Sequence, residues 1–185
     1  LPANPVILFN KIDLLTSNQQ FFNDLEAEYQ SIGYPVIKTS NILDQGFEQL
    51  HTVLKSRTSI FVGLSGVGKS SLINHLLPEQ DIRVGELSEA TGEGKHTTTN
   101  SMLYHLDGGG ELIDSPGVRD FGLWNTSADC ILDGFVEIRP FSGQCRFSNC
   151  HHDNEPDCAI KQALQTHKIS VRRFKSYKKM LKEYT

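Results

Sequence analysis

Ser59-Ile60-Phe61-Val62-Gly63-Leu64-Ser65-Gly66-Val67-Gly68-Lys69-Ser70-Ser71-Leu72 is the stretch that decides the fold. Ser59 to Val62 is a short, mostly apolar run of the kind that forms a buried parallel strand. Residues 63–70 fit G-x-x-x-x-G-K-[ST], and Lys69 to Leu77 reads as a helix closed by Pro78. A strand running through a glycine loop into a helix is the context in which this pattern binds phosphate. Glycines let backbone N–H groups curl around phosphate oxygens, and the helix N-terminus adds favourable potential. Gly63, Leu64, Ser65, Gly66, Val67, Gly68, Lys69, Ser70 and Ser71 are therefore candidate nucleotide contacts. Lys69 is expected to reach the β- and γ-phosphates as a catalytic cation, and the Ser70 hydroxyl to ligate Mg²⁺.

To either side, strand and helix signals alternate. Pro5 to Phe9 reads as a strand, and Thr16 or Ser17 can cap a helix carrying Phe21, Phe22, Leu25, Tyr29 and Ile32 that stops near Gly33. Pro35 to Ile37 reads as a strand, and Phe47, Leu50, Val53 and Leu54 as a helix face. Residues 79–100 are polar and without period. Ser101 to Leu106 and Glu111 to Ile113 flank Asp107-Gly108-Gly109-Gly110, a hairpin signal. The pattern predicts an α/β sheet with helices on both faces. The expected domains are 1–140 and 141–185, with Ile160 to Glu183 helical in the second.

Asn10-Lys11-Ile12-Asp13 matches N-K-x-D, the guanine-reading element of GTPases. The Asp13 carboxylate can accept from guanine N1–H and the exocyclic amine, a pairing adenine does not offer. The Lys11 stem can lie over the base, and Asn10 can tie this loop to the phosphate loop. Thr39-Ser40-Asn41 stands where a loop would brace the base, making Ser40 and Asn41 further candidates. Asp114-Ser115-Pro116-Gly117 matches D-x-x-G, with Asp114 holding Mg²⁺ through water and the Gly117 N–H sensing the γ-phosphate. In Gly92-Glu93-Gly94-Lys95-His96-Thr97-Thr98-Thr99, Thr98 is the favoured Mg²⁺ ligand by analogy with other switches, and Thr97 the alternative. The base reader precedes the phosphate loop, so the motifs run G4-G5-G1-G2-G3, a circular permutation of the GTPase order. Because such motifs sit on loops at one sheet edge, cutting the chain elsewhere leaves the site assembled.

The residue after D-x-x-G is often a Gln that orients the attacking water. Here it is Val118, so slow unaided hydrolysis is expected. His96, beside the switch threonines, is the nearby candidate with suitable proton chemistry; the alternative is an exposed loop histidine.

At 38% hydrophobic residues the composition is that of a globular domain. No apolar run approaches the ~18 residues of a membrane span. The start, Leu1-Pro2-Ala3, lacks an initiator Met and the marks of a signal peptide. A cytoplasmic segment of a longer protein is the expectation. The net charge of −4 is split: 10 Lys/Arg face 21 Asp/Glu before Ala159, against 8 and one from there onward. Such a basic block suits an anionic partner, or simply a solvated helix face.

Cys145, Cys150, His152 and Cys158 form C-x4-C-x-H-x5-C, a compact three-sulfur, one-nitrogen set. Zn²⁺ takes such ligands tetrahedrally, and a closed set of four is structural. His151 is the rival nitrogen. Cys130 stands apart and is expected to be a small buried apolar residue. Lys168, Arg172, Lys175, Lys179 and Lys182 recur as one helical face, with Phe174, Tyr177 and Leu181 as a packing stripe. These cations could neutralise RNA phosphates.

Taken together, NKID, GLSGVGKSSL (63–72), GEGKHTTT (92–99), DSPGVRDF (114–121) and the cysteine pattern resemble the ribosome-small-subunit-dependent GTPase A family (RsgA/YjeQ) over essentially the whole chain. The resemblance implies a bacterial cytoplasmic GTPase acting late in small-subunit maturation. It implies binding of GTP and GDP, the small ribosomal subunit and its rRNA, and hydrolysis stimulated by the subunit. It also implies one structural zinc in a C-terminal domain, on Cys145, Cys150, His152 and Cys158. A nucleotide-gated rRNA-binding assembly factor with negligible intrinsic hydrolysis is the alternative. Family members carry an N-terminal OB-fold domain, whereas this chain begins just before NKID. Nucleotide binding is therefore expected to survive and ribosome activation to be weakened. A monomer with no membrane partner is expected.

Overall fold

A computed structural model describes residues 3–15, 19–77, 102–114 and 127–184. The chain divides into two compact units, Leu1–Phe121 and Gly122–Thr185. The first contains β1 (Ile7–Phe9), α1 (Gln19–Ser31), β2 (Val36–Lys38), α2 (Phe47–Leu54), β3 (Thr58–Phe61), α3 (Lys69–Leu76), β4 (Met102–His105) and β5 (Glu111–Asp114). Strand β1 pairs in parallel with β2, Ile7 opposite Val36 and Phe9 opposite Lys38. Strand β3 runs parallel to β5, Phe61 opposite Asp114, and β4 pairs antiparallel on the far side of β5, Leu103 opposite Ile113. The expected hairpin closes with Leu106 N–H donating to Gly110 O and Gly109 N–H to Leu106 O.

Amphipathic spacing places the helices. Phe47, Leu50 and Leu54 of α2 and Leu72, Ile73 and Leu76 of α3 are buried in one core with Ile37, Tyr104 and Leu112. Each such side chain contributes on the order of 2 kcal/mol on burial. The parallel strands β1, β2 and β3 deliver their carboxyl ends to loops, the usual place for ligands in α/β sheets. Thr16 and Ser17, the expected cap of α1, lie outside the described residues.

The second unit holds α4 (Ala128–Asp133), a 3-10 turn (Arg139–Phe141), α5 (Ala159–Gln165) and α6 (Val171–Tyr184). Ser127 caps α4, its Oγ accepting the Cys130 N–H at 3.3 Å. Three features depart from the sequence reading. The second unit begins at Gly122, not at residue 141, because Ile131, Phe135 and Ile138 pack with Ile160, Ala163, Ile169 and Tyr177. The segment 160–183 is two helices: His167 takes a left-handed φ of 56°, Ile169 turns into the core, and Ser170 Oγ accepts the Arg173 N–H at 3.1 Å to start α6. Lys168 therefore precedes α6, and the basic face of that helix carries Arg172, Lys175, Lys179 and Lys182. Cys130 is exposed rather than buried, on the outward side of α4. The packing stripe is as expected, with Tyr177 buried and Phe174 and Leu181 against the same core. No helix among the described residues is long and apolar enough to cross a membrane.

Candidate functional site

Strand β1 ends at Phe9 and delivers Asn10, Lys11 and Asp13; its neighbour β2 ends at Lys38 and delivers Thr39, Ser40 and Asn41. Strand β3 ends at Phe61 and leads into the glycine loop. These three loops are laced together by side chains. Asn10 Nδ2 donates to Val67 O at 2.9 Å and Lys11 Nζ to Gly66 O at 2.8 Å, both across to the glycine loop. Thr39 Oγ1 donates to Asn10 Oδ1 at 3.1 Å, and Ser40 Oγ to Asp13 Oδ1 at 2.5 Å. Asn41 Nδ2 donates to Ser71 O at 2.9 Å, which ties the brace loop to the first turn of α3. Thr39 and Ser40 are fully buried polar residues, so these bonds satisfy groups that would otherwise be costly to bury.

Two glycines are dictated by this packing. Gly68, at φ 96°, precedes α3, and a Cβ there would run into Asn10 Nδ2. Gly46, at φ 83°, precedes α2, and a Cβ there would strike Lys38 O. Both conformations disfavour any residue with a side chain. Lys69 Nζ lies back over its own loop, donating to Gly63 O at 2.7 Å and Leu64 O at 3.0 Å. Ser70 and Ser71 follow in α3. Asp114 ends β5 in register with Phe61, so the first residue of the D-x-x-G motif stands at the same end of the sheet as the start of the glycine loop. His96, Thr97, Thr98, Gly117 and Val118 lie outside the described residues.

In the second unit, Cys145, Cys150, His152 and Cys158 bring their donor atoms within 4.8 Å of one another. Cys145 Sγ is 3.8 Å from Cys158 Sγ, far beyond the ~2.05 Å of a disulfide. His152 Nδ1 lies 3.6 Å from Cys145 Sγ and 3.5 Å from Cys158 Sγ. The structure thus brings in His152, not His151. Burial works against a thiolate at Cys145, but hydrogen bonds from the backbone N–H groups of Ala159 and Ile160, at the start of α5, together with those from the Cys158 and Cys150 thiols, lower its pKa. Burial pushes the Cys150 thiol up to about 11. Burial, then the charge of Lys178, lowers the His152 pKa and favours the neutral imidazole that metals bind. The set can hold a metal ion.

The sequence matches the family model described as RsgA GTPase over residues 2–124. The chain belongs to the RsgA GTPase family. It is 49% identical over 178 residues to the small ribosomal subunit biogenesis GTPase RsgA of Pseudomonas fluorescens (strain SBW25), covering 96% of this chain and 52% of that protein. To the protein of the same name from Shewanella oneidensis it is 48% identical, covering 96% and 50%. The crystal structure of YjeQ from Thermotoga maritima is similar with a TM-score of 0.76 at 33% identity, covering 97% of this chain and 59% of that one. YloQ, described as a circularly permuted GTPase, gives a TM-score of 0.75 at 28% identity, covering 97% and 56%. The chain spans about half the length of the curated relatives it matches.

Within this RsgA-family chain, sequence reasoning missed the groups that hold the cysteine loop. Glu155 Oε1 accepts the His151 N–H and Oε2 the Asp153 N–H, each at 2.8 Å. Backbone N–H groups, its own and that of His151 foremost, hold the Glu155 carboxyl down at about 2. Lys178 Nζ donates to His151 O at 2.7 Å and pairs with Asp153 Oδ1 at 2.8 Å. No ligand spacing marks such residues, because they bind backbone.

Proposed function

We propose that this chain is the nucleotide- and metal-binding part of a Mg²⁺-dependent GTPase that acts on the small ribosomal subunit late in its maturation. The observation that carries the reading is the lacing of Asn10, Lys11, Asp13, Ser40 and Asn41 to one another and to the glycine loop and α3. That arrangement couples a guanine-reading carboxylate to a phosphate cradle, with the motifs in permuted order. Asp13 reads the base, braced by Ser40. Residues 63–71 receive the phosphates, Lys69 swinging from its carbonyl partners to the β- and γ-oxygens. Ser70, Thr98 and, through water, Asp114 hold Mg²⁺, and Gly117 reports the γ-phosphate. With Val118 in place of a water-orienting Gln, turnover is slow until the subunit binds, and His96 supplies the polar group near the switch.

The second unit is proposed to hold one structural zinc. With Zn–S near 2.3 Å and Zn–N near 2.0–2.1 Å, a tetrahedron has S···S edges of roughly 3.8 Å and S···N edges of roughly 3.5 Å. The Cys145, Cys158 and His152 separations agree with that size. Arg172, Lys175, Lys179 and Lys182 of α6 offer a cationic face for rRNA phosphates. The protein is proposed to work in the cytoplasm as a monomer.

GTP turnover measured with no subunit, with small subunits and with large subunits tests the reading. Stimulation by small subunits is expected; stimulation by large subunits alone overturns it, and equal affinity for ATP and GTP sinks the guanine assignment. Val118 also favours a second reading, a nucleotide-gated rRNA-binding factor with negligible intrinsic hydrolysis. Release from small subunits in a nonhydrolysable GTP analogue as fast as in GTP would favour that alternative. His96→Ala is expected to lower stimulated turnover while sparing GTP binding.

A further inference from the structure

Glu155 belongs to no ligand set, yet its carboxylate spans the turn that carries His152. One oxygen takes the N–H of the residue before that histidine and the other takes the N–H of the residue after it. His152 itself sits at a φ of 61°, a left-handed conformation that crowds a side chain against the backbone. Such a conformation persists only where the surroundings over-determine it. Here they do so from two sides. Glu155 fixes the flanking N–H groups, and Lys178, reaching from α6, takes the His151 carbonyl and pairs with Asp153. Lys161 from α5 donates to the Asp153 carbonyl at 2.5 Å, closing the same turn. With both neighbours held, the His152 ring projects toward the Cys145 and Cys158 sulfurs while His151 is left exposed.

We propose that Glu155 is a positioning residue for the metal centre, presetting His152 rather than His151 as the nitrogen ligand, with Lys178 bracing the same turn from α6. The inference rests on the zinc reading above. Without the carboxylate the turn relaxes, His152 leaves the left-handed region, and an arriving ion must reorganise the loop before it gains a fourth ligand. In a slackened loop His151 becomes a competitor for that position.

The test uses the full chain and Zn²⁺ in competition with a chromophoric chelator, with melting followed in the zinc-loaded and chelator-treated states. Glu155→Ala is expected to weaken Zn²⁺ binding roughly 10–100-fold, the usual effect of removing a group that orients a ligand. Glu155→Gln is expected to weaken it less, since an amide oxygen can still accept one of the two N–H groups. Lys178→Met is expected to give a smaller loss than Glu155→Ala. A Co²⁺-loaded chain supplies a readout that a purely structural role does not move. In the wild type only His152→Ala should change the d–d spectrum, and in the Glu155→Ala background His151→Ala should change it too. Zn²⁺ affinity of Glu155→Ala and Glu155→Gln within twofold of wild type overturns the proposal, as does equal loss of melting temperature with and without zinc. A wild-type chain that binds no Zn²⁺ overturns the zinc reading and the clasp together. Tight wild-type binding with an unaffected Glu155→Ala overturns the clasp alone.

Discussion

In the first unit, the side-chain bonds that lace the base loops to the glycine loop and α3 join residues 27 to 57 positions apart. In the second, four donor atoms come from the fourteen residues between Cys145 and Cys158, and the bonds shaping their loop are mostly as short-ranged. A site built across some sixty residues exists only when both sheets of the unit have formed, because only the strand ends bring its parts together. A site built within fourteen can form from its own loop once an ion cross-links it. The first is therefore expected to fail gradually, one side-chain tie at a time, and the second to fail as a whole.

The largest effect should come from breaking the local site. Cys158 is buried at the start of α5, and Cys158→Ser removes one of the four proposed zinc ligands. Structural zinc in small domains is worth roughly 10–16 kcal/mol, so removing a thiolate is expected to lower Zn²⁺ affinity by several orders of magnitude. The second unit should then lose its cooperative melting transition, while GTP affinity stays within about threefold because the nucleotide loops have a separate core. Zinc content and nucleotide titration on the same sample check both halves. A GTP affinity that collapses with the zinc would erase the distinction between the units.

Next in size is a long-range tie in the second unit. Arg173 Nε and Nη2 donate to the two Glu137 oxygens at 2.6 and 3.1 Å, with the guanidinium stacked 4.5 Å over the Phe135 ring. Both side chains are nearly buried, at 13% and 5% exposure. Glu137→Ala removes both carboxylate contacts from a nearly buried guanidinium and is expected to cost about 3 kcal/mol in denaturant unfolding of the chain with Zn²⁺ added. Replacing both partners by Leu should recover most of that loss. No recovery would mean that the pair supplies more than charge neutralisation to this core.

In the first unit, Asp13→Ala removes the acceptor assigned to guanine. Two charge-assisted hydrogen bonds are at stake, and an affinity loss of about 100-fold for GTP is expected, with ATP binding little changed. Parallel titrations with both nucleotides check this; an equal loss for ATP would mean that Asp13 shapes the loop rather than reading the base.

The same contrast explains what the sequence made legible. Gly63 to Ser70 and the cysteine spacing are contiguous signatures whose chemistry is local, and the strands and helices around the glycine loop follow from apolar periodicity. Glu137 and Arg173 are 36 residues apart and carry no mutual signal. Ile131, Phe135 and Ile138 find their partners beyond Cys158, so nothing near Pro140 marks the true start of the second unit. The break between α5 and α6 was hidden because Lys168 continues the cation spacing of the following helix. Glu155 carries no signal in the sequence because it accepts peptide N–H groups, which every residue but proline offers.

The smallest expected effect tests whether the distributed site really fails by degrees. Asn41 Nδ2 donates to the carbonyl of Ser71 in an exposed bond. Its neighbour Ser40 touches the base loop through Asp13. Asn41→Ala therefore frees the brace loop from α3 while leaving Ser40 and Asp13 in place, and a bond of this type contributes roughly 0.5–1.5 kcal/mol. GTP affinity should fall about threefold, which corresponds to the low end of that range. The loss should be specific to guanine nucleotides, because slack at Asn41 reaches Ser40 and Asp13 before it reaches Lys69. If ATP and GTP weaken equally, the tie acts on α3 and the phosphate cradle. If neither changes while the melting temperature drops, the tie holds the fold and plays no part in recognising the base.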